Sequence, residues 1–140
     1  MVVRVKLEIK IKNLVKNIIA IVNSGYEADT PQLMIPATLA RELNLWPPPP
    51  DSRELVFDTA GGPVKVWFVP RIAKARVLGD NVSSKEVVVD LVISTSIDEP
   101  LISDLLTSEF EIVIEDPYKG LWRFRWEEPG KIRMTERKPS

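Results

Sequence analysis

Carboxylates carry the main proton-transfer chemistry that this sequence of 140 residues can offer. It contains no histidine and no cysteine, which excludes disulfides, Cys/His zinc sites and Ser-His or Cys-His nucleophilic catalysis. Proton transfer near neutral pH would depend on carboxylates, lysine or tyrosine with shifted pKa values. Glu27, Asp29, Asp58 and Asp104 lie in or beside predicted turns. We expect no metal ion and no cofactor.

Two short polar segments stand out among apolar runs. Asn23-Ser24-Gly25 ends the apolar run at residues 18–22 abruptly. Because Asn and Gly favour turns, this triplet is compatible with an ordinary turn that closes a strand. Asp58-Thr59-Ala60-Gly61 looks like an acidic counterpart of this triplet at another position. It has one additional residue before the glycine, so a β-turn is the favoured interpretation.

Patterns typical of β-strands surround both segments. Apolar and charged residues alternate over residues 3–12, which predicts a half-buried strand. The run at 17–22 predicts a second strand that is buried on both faces. Further strands are predicted at 32–35, 71–78 and 86–93. Helices are predicted at 37–45 (after Pro36) and at 104–109. Two hairpins are also predicted, one from 53–58 and 64–69 around residues 59–63 and a last one from 111–115 and 121–126.

Length and composition predict one globular domain, and the strand patterns make it mainly β. The apolar fraction is 44%, the charged fraction is 28% and the net charge is −1, so there is no overall attraction to nucleic acid or to an anionic membrane. Basic residues cluster at both ends, and those within residues 1–17 have no interleaved aromatic residues, which favours solvated strand faces over a nucleic-acid surface. Residues 127–140 are predicted to form a flexible tail.

No signal peptide or membrane span is visible, which predicts a cytoplasmic protein. The twelve prolines and the many charged residues suit a protein from a thermophile.

The order of these features resembles the retropepsin-like aspartic proteases, particularly their small single-domain microbial members. In that family a strand reads apolar-apolar-Asp-Thr/Ser-Gly, where this sequence has Ile21-Val22-Asn23-Ser24-Gly25. An Ile/Val-Pro and a helix ending near Leu-Gly-Leu follow, where Ile35-Pro36 here precedes Leu43-Asn44-Leu45. The family's Leu-Leu/Ile-Gly, then Asp and Leu-Leu, corresponds to residues 101–106. The resemblance covers residues 1–126 and implies a closed, folded antiparallel β-barrel subunit with two short helices.

The resemblance also implies roles for two segments. Such a protein is a homodimer in which the hairpin tip, Thr59-Ala60-Gly61-Gly62, folds over an extended peptide as a flap. Leu101-Ile102-Ser103 would brace the catalytic turn. The sequence departs from the family in three places: Asn23 replaces the catalytic aspartate, Ser103 replaces a glycine, and a longer acidic insert follows Gly25.

The first departure removes the family's chemistry. In the dimer each subunit supplies one aspartate, and the close pair shares a proton because both cannot ionise together. An Asn amide forms hydrogen bonds there but cannot exchange a proton near neutral pH. We therefore expect a catalytically inactive pseudoprotease. The same sequence would result if asparagine had been introduced to inactivate an enzyme.

The sequence is compatible with two alternatives. One is an active aspartic-type endopeptidase in which Glu27, Asp29 or Asp104 replaces the missing acid. The other is a structural or regulatory dimer that binds nucleic acid weakly through its basic ends.

Overall fold

The computed structural model describes residues 2–139, and within this range the chain forms ten strands and two helices of six residues each. Neither helix approaches the length and apolar character that crossing a bilayer requires. The elements are β1 Arg4–Ile11, β2 Leu14–Val22, β3 Gln32–Pro36, α1 Ala37–Glu42, β4 Arg53–Thr59, β5 Gly62–Leu78, β6 Val87–Ser94, β7 Leu101–Ile102, α2 Asp104–Glu109, β8 Ile112–Asp116, β9 Leu121–Phe124 and β10 Arg133–Met134.

The main sheet closes on itself. Its strand order is β1-β2-β7-β3-β6-β5-β4, and β1 also pairs with β5, so six strands form a ring and β4 extends from it as one arm of a hairpin. The predicted mainly β class with two short helices is confirmed. The sheet is mixed, however, rather than wholly antiparallel, because β2 pairs with β7 and β3 with β6 in parallel. Long connections between these strands allow them to run in the same direction.

The core lies inside the ring. In β1 the alternate side chains of Val5, Leu7 and Ile9 are fully buried, as the period-two pattern predicts. β2 begins at Leu14, earlier than predicted. Its first four residues alternate between half-buried and exposed, and residues 18–22 alternate between buried and half-buried. The prediction that β2 is buried on both faces is therefore wrong. The strand that is buried almost throughout is β6.

One long strand replaces two predicted ones. β5 runs from Gly62 to Leu78 and carries a bulge between Val69 and Ala73. At this bulge Arg71 has a φ of 50°, and its N–H donates to the buried Asp90 carboxylate at 2.6 Å. The bulge lets a single strand belong both to the β4–β5 hairpin and to the ring.

The segment after residue 126 has contacts that the sequence prediction did not foresee. β10 pairs with β9, and Thr135 and Glu136 donate their backbone N–H groups to Gly120 and Arg4. The Glu127 and Arg133 side chains form an ion pair that is largely buried. Arg133 also lies over the rings of Trp122 and Phe124. Its guanidinium thus anchors a segment that is poor in apolar residues.

Candidate functional site

A groove of about 860 Å³ opens between the Asn23-Ser24-Gly25 turn and the β4–β5 hairpin. Two segments that the sequence singled out as candidate site residues are thus brought to one place. Most of the lining side chains are apolar or uncharged. The groove is lined by Asn23, Gly25, Tyr26, Glu27, Met34, Val56, Phe57, Asp58, Thr59, Ala60, Val64, Val66, Ser94, Ser96, Ile97 and Leu101.

The turn is held to β7 and is closed by the Asn23 side chain. β2 and β7 run in parallel, and beyond them the Asn23 N–H donates to the Ile102 carbonyl at 3.2 Å. The Asn23 Oδ1 atom accepts a hydrogen bond from the Gly25 N–H at 3.1 Å, and the Asn23 carbonyl accepts one from Tyr26. This is an Asx turn. It requires an oxygen acceptor at position 23, which either asparagine or aspartate supplies.

Ser103 caps α2 and ties it to β3. The Ser103 side chain is fully buried, and its Oγ accepts hydrogen bonds from the Leu106 and Gln32 N–H groups, both at 3.2 Å. The Ser103 N–H in turn donates to the Gln32 carbonyl at 3.1 Å. A glycine at this position would make neither Oγ bond. The structure therefore gives a physical reason for serine here. Leu101 pairs with Ile21 near the end of β2 and Ile102 accepts the Asn23 N–H, whereas the bonds of Ser103 go to β3 and α2 and not to the turn itself.

Asp104 fixes the loop that follows the turn. Its Oδ1 atom accepts hydrogen bonds from Ala28 at 3.0 Å and from its neighbour Leu105 at 2.7 Å, and its N–H donates to the Tyr26 carbonyl at 2.8 Å. Of the three predicted replacement acids, Asp104 is thus engaged with the backbone, and Asp29 is exposed and does not line the groove. Glu27 is the one that does.

Tyr26 connects the turn to the hairpin, and the sequence prediction missed it. The Tyr26 ring is buried and lies edge-to-face against Phe57 of β4, with 6.5 Å between the ring centroids. Its hydroxyl donates to Gln32 Oε1 at 2.7 Å. Burial, together with the negative charge of Asp90, raises the pKa of this hydroxyl, so the phenol stays protonated. The available signal was a single aromatic residue within a polar stretch.

The predicted hairpin forms, and its tip is closed by Thr59. Thr59 pairs with Gly62 around the two-residue turn Ala60-Gly61. The Thr59 hydroxyl donates to the Gly62 carbonyl at 2.7 Å and accepts from the Gly61 N–H at 3.2 Å. Gly62 has a φ of 107°, a conformation that favours glycine. Thr59 and Ala60 line the groove, whereas Gly61 and Gly62 do not.

One face of the hairpin is packed against the ring. Phe57 and Val64 contact a small cluster of Val66, Phe68 and Val92, which Met34 also joins. The outer edge of β4 pairs with no strand of residues 2–139, and Val56 on this strand is 65% exposed. The groove thus has an apolar floor and, on one side, a strand edge whose backbone groups are unpaired.

Three of the five basic residues within residues 1–17 are engaged in ion pairs. Arg4 bonds to Glu99 at 2.7 Å, Lys10 to Glu86 at 3.2 Å and Lys16 to Glu42 at 3.2 Å. These partners reduce the positive field that the alternative nucleic-acid surface would need. Among residues 2–139 no group of three or more carboxylates is placed to hold a metal ion.

A scan against protein-family models and a search of curated proteins found no match to this chain.

Proposed function

We propose that this protein is a retropepsin-like homodimer that binds an extended peptide in the groove and does not cleave it. The observation that carries the proposal is the position of Asn23, which lines a groove facing the Thr59-Ala60 hairpin tip. A peptidase of this family needs a carboxylate at that position. An amide keeps the turn and lacks the exchangeable proton.

The exposure of the tip of the Asn23-Ser24-Gly25 turn supports the proposal of a dimer. Ser24 and Gly25 are exposed, and the Ser24 hydroxyl has no hydrogen-bond partner within residues 2–139. A second turn related by a twofold axis would supply that partner. Gly25 has no side chain to obstruct close approach of the two backbones.

The geometry of the hairpin supports an extended ligand. An edge strand with unpaired N–H and C=O groups can accept a peptide as an added strand. The alternate side chains of that peptide would face the apolar floor around Met34 and Val66. Ligand recognition in this arrangement requires no proton transfer, so it survives the loss of the acid.

Substitution of Asn23 by aspartate tests the proposal. The wild-type protein is expected to leave denatured proteins intact between about pH 3 and 7, whereas Asn23→Asp is expected to cleave them at acid pH, where two close carboxylates share one proton. General acid–base catalysis contributes about 10²- to 10⁴-fold in rate. Asn81→Asp, in the exposed β5–β6 loop, makes the same chemical change away from the groove and should remain inactive.

Two results would overturn the proposal. Wild-type cleavage that a pepstatin-like inhibitor blocks would mean that the protein is an active peptidase. In that case Glu27 is the acid to replace first, because it is the predicted substitute that lines the groove. A folded Asn23→Asp protein without any cleavage would mean that the two turns do not form a catalytic pair.

A further inference from the structure

The groove carries charge of only one sign. Of its sixteen lining residues, Glu27 and Asp58 are the charged ones, and both are acidic. Neither carboxylate has a hydrogen-bond or ion-pair partner within residues 2–139. Elsewhere the acids are commonly paired, as Glu8 is with Arg76, Glu99 with Arg4 and Glu127 with Arg133.

The two carboxylates approach the groove from different walls. The Tyr26–Phe57 ring contact joins the turn segment to β4, and Glu27 and Asp58 are the next residue along each segment. Both are exposed and border an otherwise uncharged surface that includes Met34, Val66 and Leu101. A ligand that lies along this surface passes two negative charges without meeting a positive one.

We propose that the ligand of this groove is an extended peptide segment with a lysine or arginine side chain among apolar residues. The inference rests on the proposed function and adds the chemical class of the ligand. The free carboxylates of Glu27 and Asp58 complement a cation. The apolar floor and the unpaired β4 edge complement the other side chains and the backbone of such a segment.

The length of β4 sets the length of the peptides with which this proposal is tested. β4 has seven residues, so a randomised library of heptapeptides matches the edge that is available for strand addition. Immobilised protein retains part of the library, and the retained peptides are sequenced at low and at high salt. We expect lysine and arginine to be enriched about two- to tenfold at one central position at low salt, because partly exposed ion pairs contribute modestly and are screened by salt. Aspartate and glutamate should be depleted.

A double variant, Glu27→Gln with Asp58→Asn, provides the test. It should retain peptides with apolar residues and lose the enrichment of basic ones. Asp51→Asn removes one exposed carboxylate from the loop before β4, outside the groove, and should keep the wild-type preference. Circular dichroism of each variant verifies the fold.

Two other outcomes of the peptide selection would contradict different parts of the proposal. Retained peptides without basic enrichment, or with the same enrichment in the double variant, would overturn the charge inference and leave the peptide groove standing. A wild-type protein that retains no peptide from the library would overturn both the inference and the proposed peptide-binding function.

Discussion

Replacing Ser103 by alanine should destabilise the protein through two lost hydrogen bonds. Oγ accepts from Leu106, the third helical residue of α2, and from Gln32 of β3. Loss of a helix cap costs about 1 kcal/mol. The second bond leaves the Gln32 N–H without its acceptor beside a fully buried side chain, which costs a further ~1–3 kcal/mol. We therefore expect the free energy of unfolding to fall by about 2–4 kcal/mol.

Urea denaturation at neutral pH measures this change. Ser108→Ala is the matched control, because Ser108 lies on the same helix, is exposed, and its hydroxyl has no partner within residues 2–139; it should stay within about 0.5 kcal/mol of wild type. Ser103→Gly should be affected less than Ser103→Ala, because glycine is tolerated at a helix N-cap. If Ser103→Ala unfolds at the wild-type urea concentration, the role assigned to this hydroxyl, capping α2 and tying it to β3, is wrong.

Two further predictions address the dimer and the C-terminal segment. The chain has no cysteine, so Ser24→Cys should cross-link two chains on oxidation if the turns meet at a twofold axis, since a disulfide requires Cα atoms within about 7 Å. Ser108→Cys is the control and should not cross-link. A Ser24→Cys protein that stays uncross-linked would argue against the shared axis. The hydrogen bonds from Arg133 hold the pKa of the Glu127 carboxyl below its ordinary value, so this group stabilises the fold above about pH 4.3 and loses its contribution as the pH falls towards its lower folded pKa. The stability difference between wild type and Glu127→Gln should therefore shrink on acidification, and a difference that is constant with pH would contradict this reasoning.

Local sequence patterns were enough to predict most of the elements. The alternation along β1, the Pro36 start of α1 and the glycine-tipped hairpin each depend on residues that are close in sequence. The end of α1 was harder to place: the helix stops at Glu42 because Asn44 takes a φ of 61° and the Leu45 N–H returns to the Ala40 carbonyl. A leucine spacing that continues past this point gives no indication of that change.

Features that depend on distant partners could not be predicted. The continuity of β5 through its bulge depends on Asp90, nineteen residues away from Arg71. The packing of residues 127–139 depends on Arg4 and on the rings of Trp122 and Phe124. The Tyr26–Phe57 contact likewise joins segments with no local signal of their proximity. In each case a polar or aromatic residue is positioned by a neighbour that only the tertiary fold supplies.

The candidate site separates the structural role of residue 23 from its chemical role. The structural role is to accept one hydrogen bond from Gly25, and an amide oxygen does this. The other hydrogen bonds near the turn join Ile102, Ser103 and Asp104 to backbone groups of residues 23, 26, 28 and 32. Because these bonds use no side-chain atom of residue 23, they do not depend on whether that residue is asparagine or aspartate. Exchange of aspartate for asparagine at this position therefore leaves the turn and the groove in place and changes only whether residue 23 can exchange a proton. For the same reason the reverse exchange, Asn23→Asp, should fold like the wild-type protein, so that a change in its activity reports on proton transfer alone.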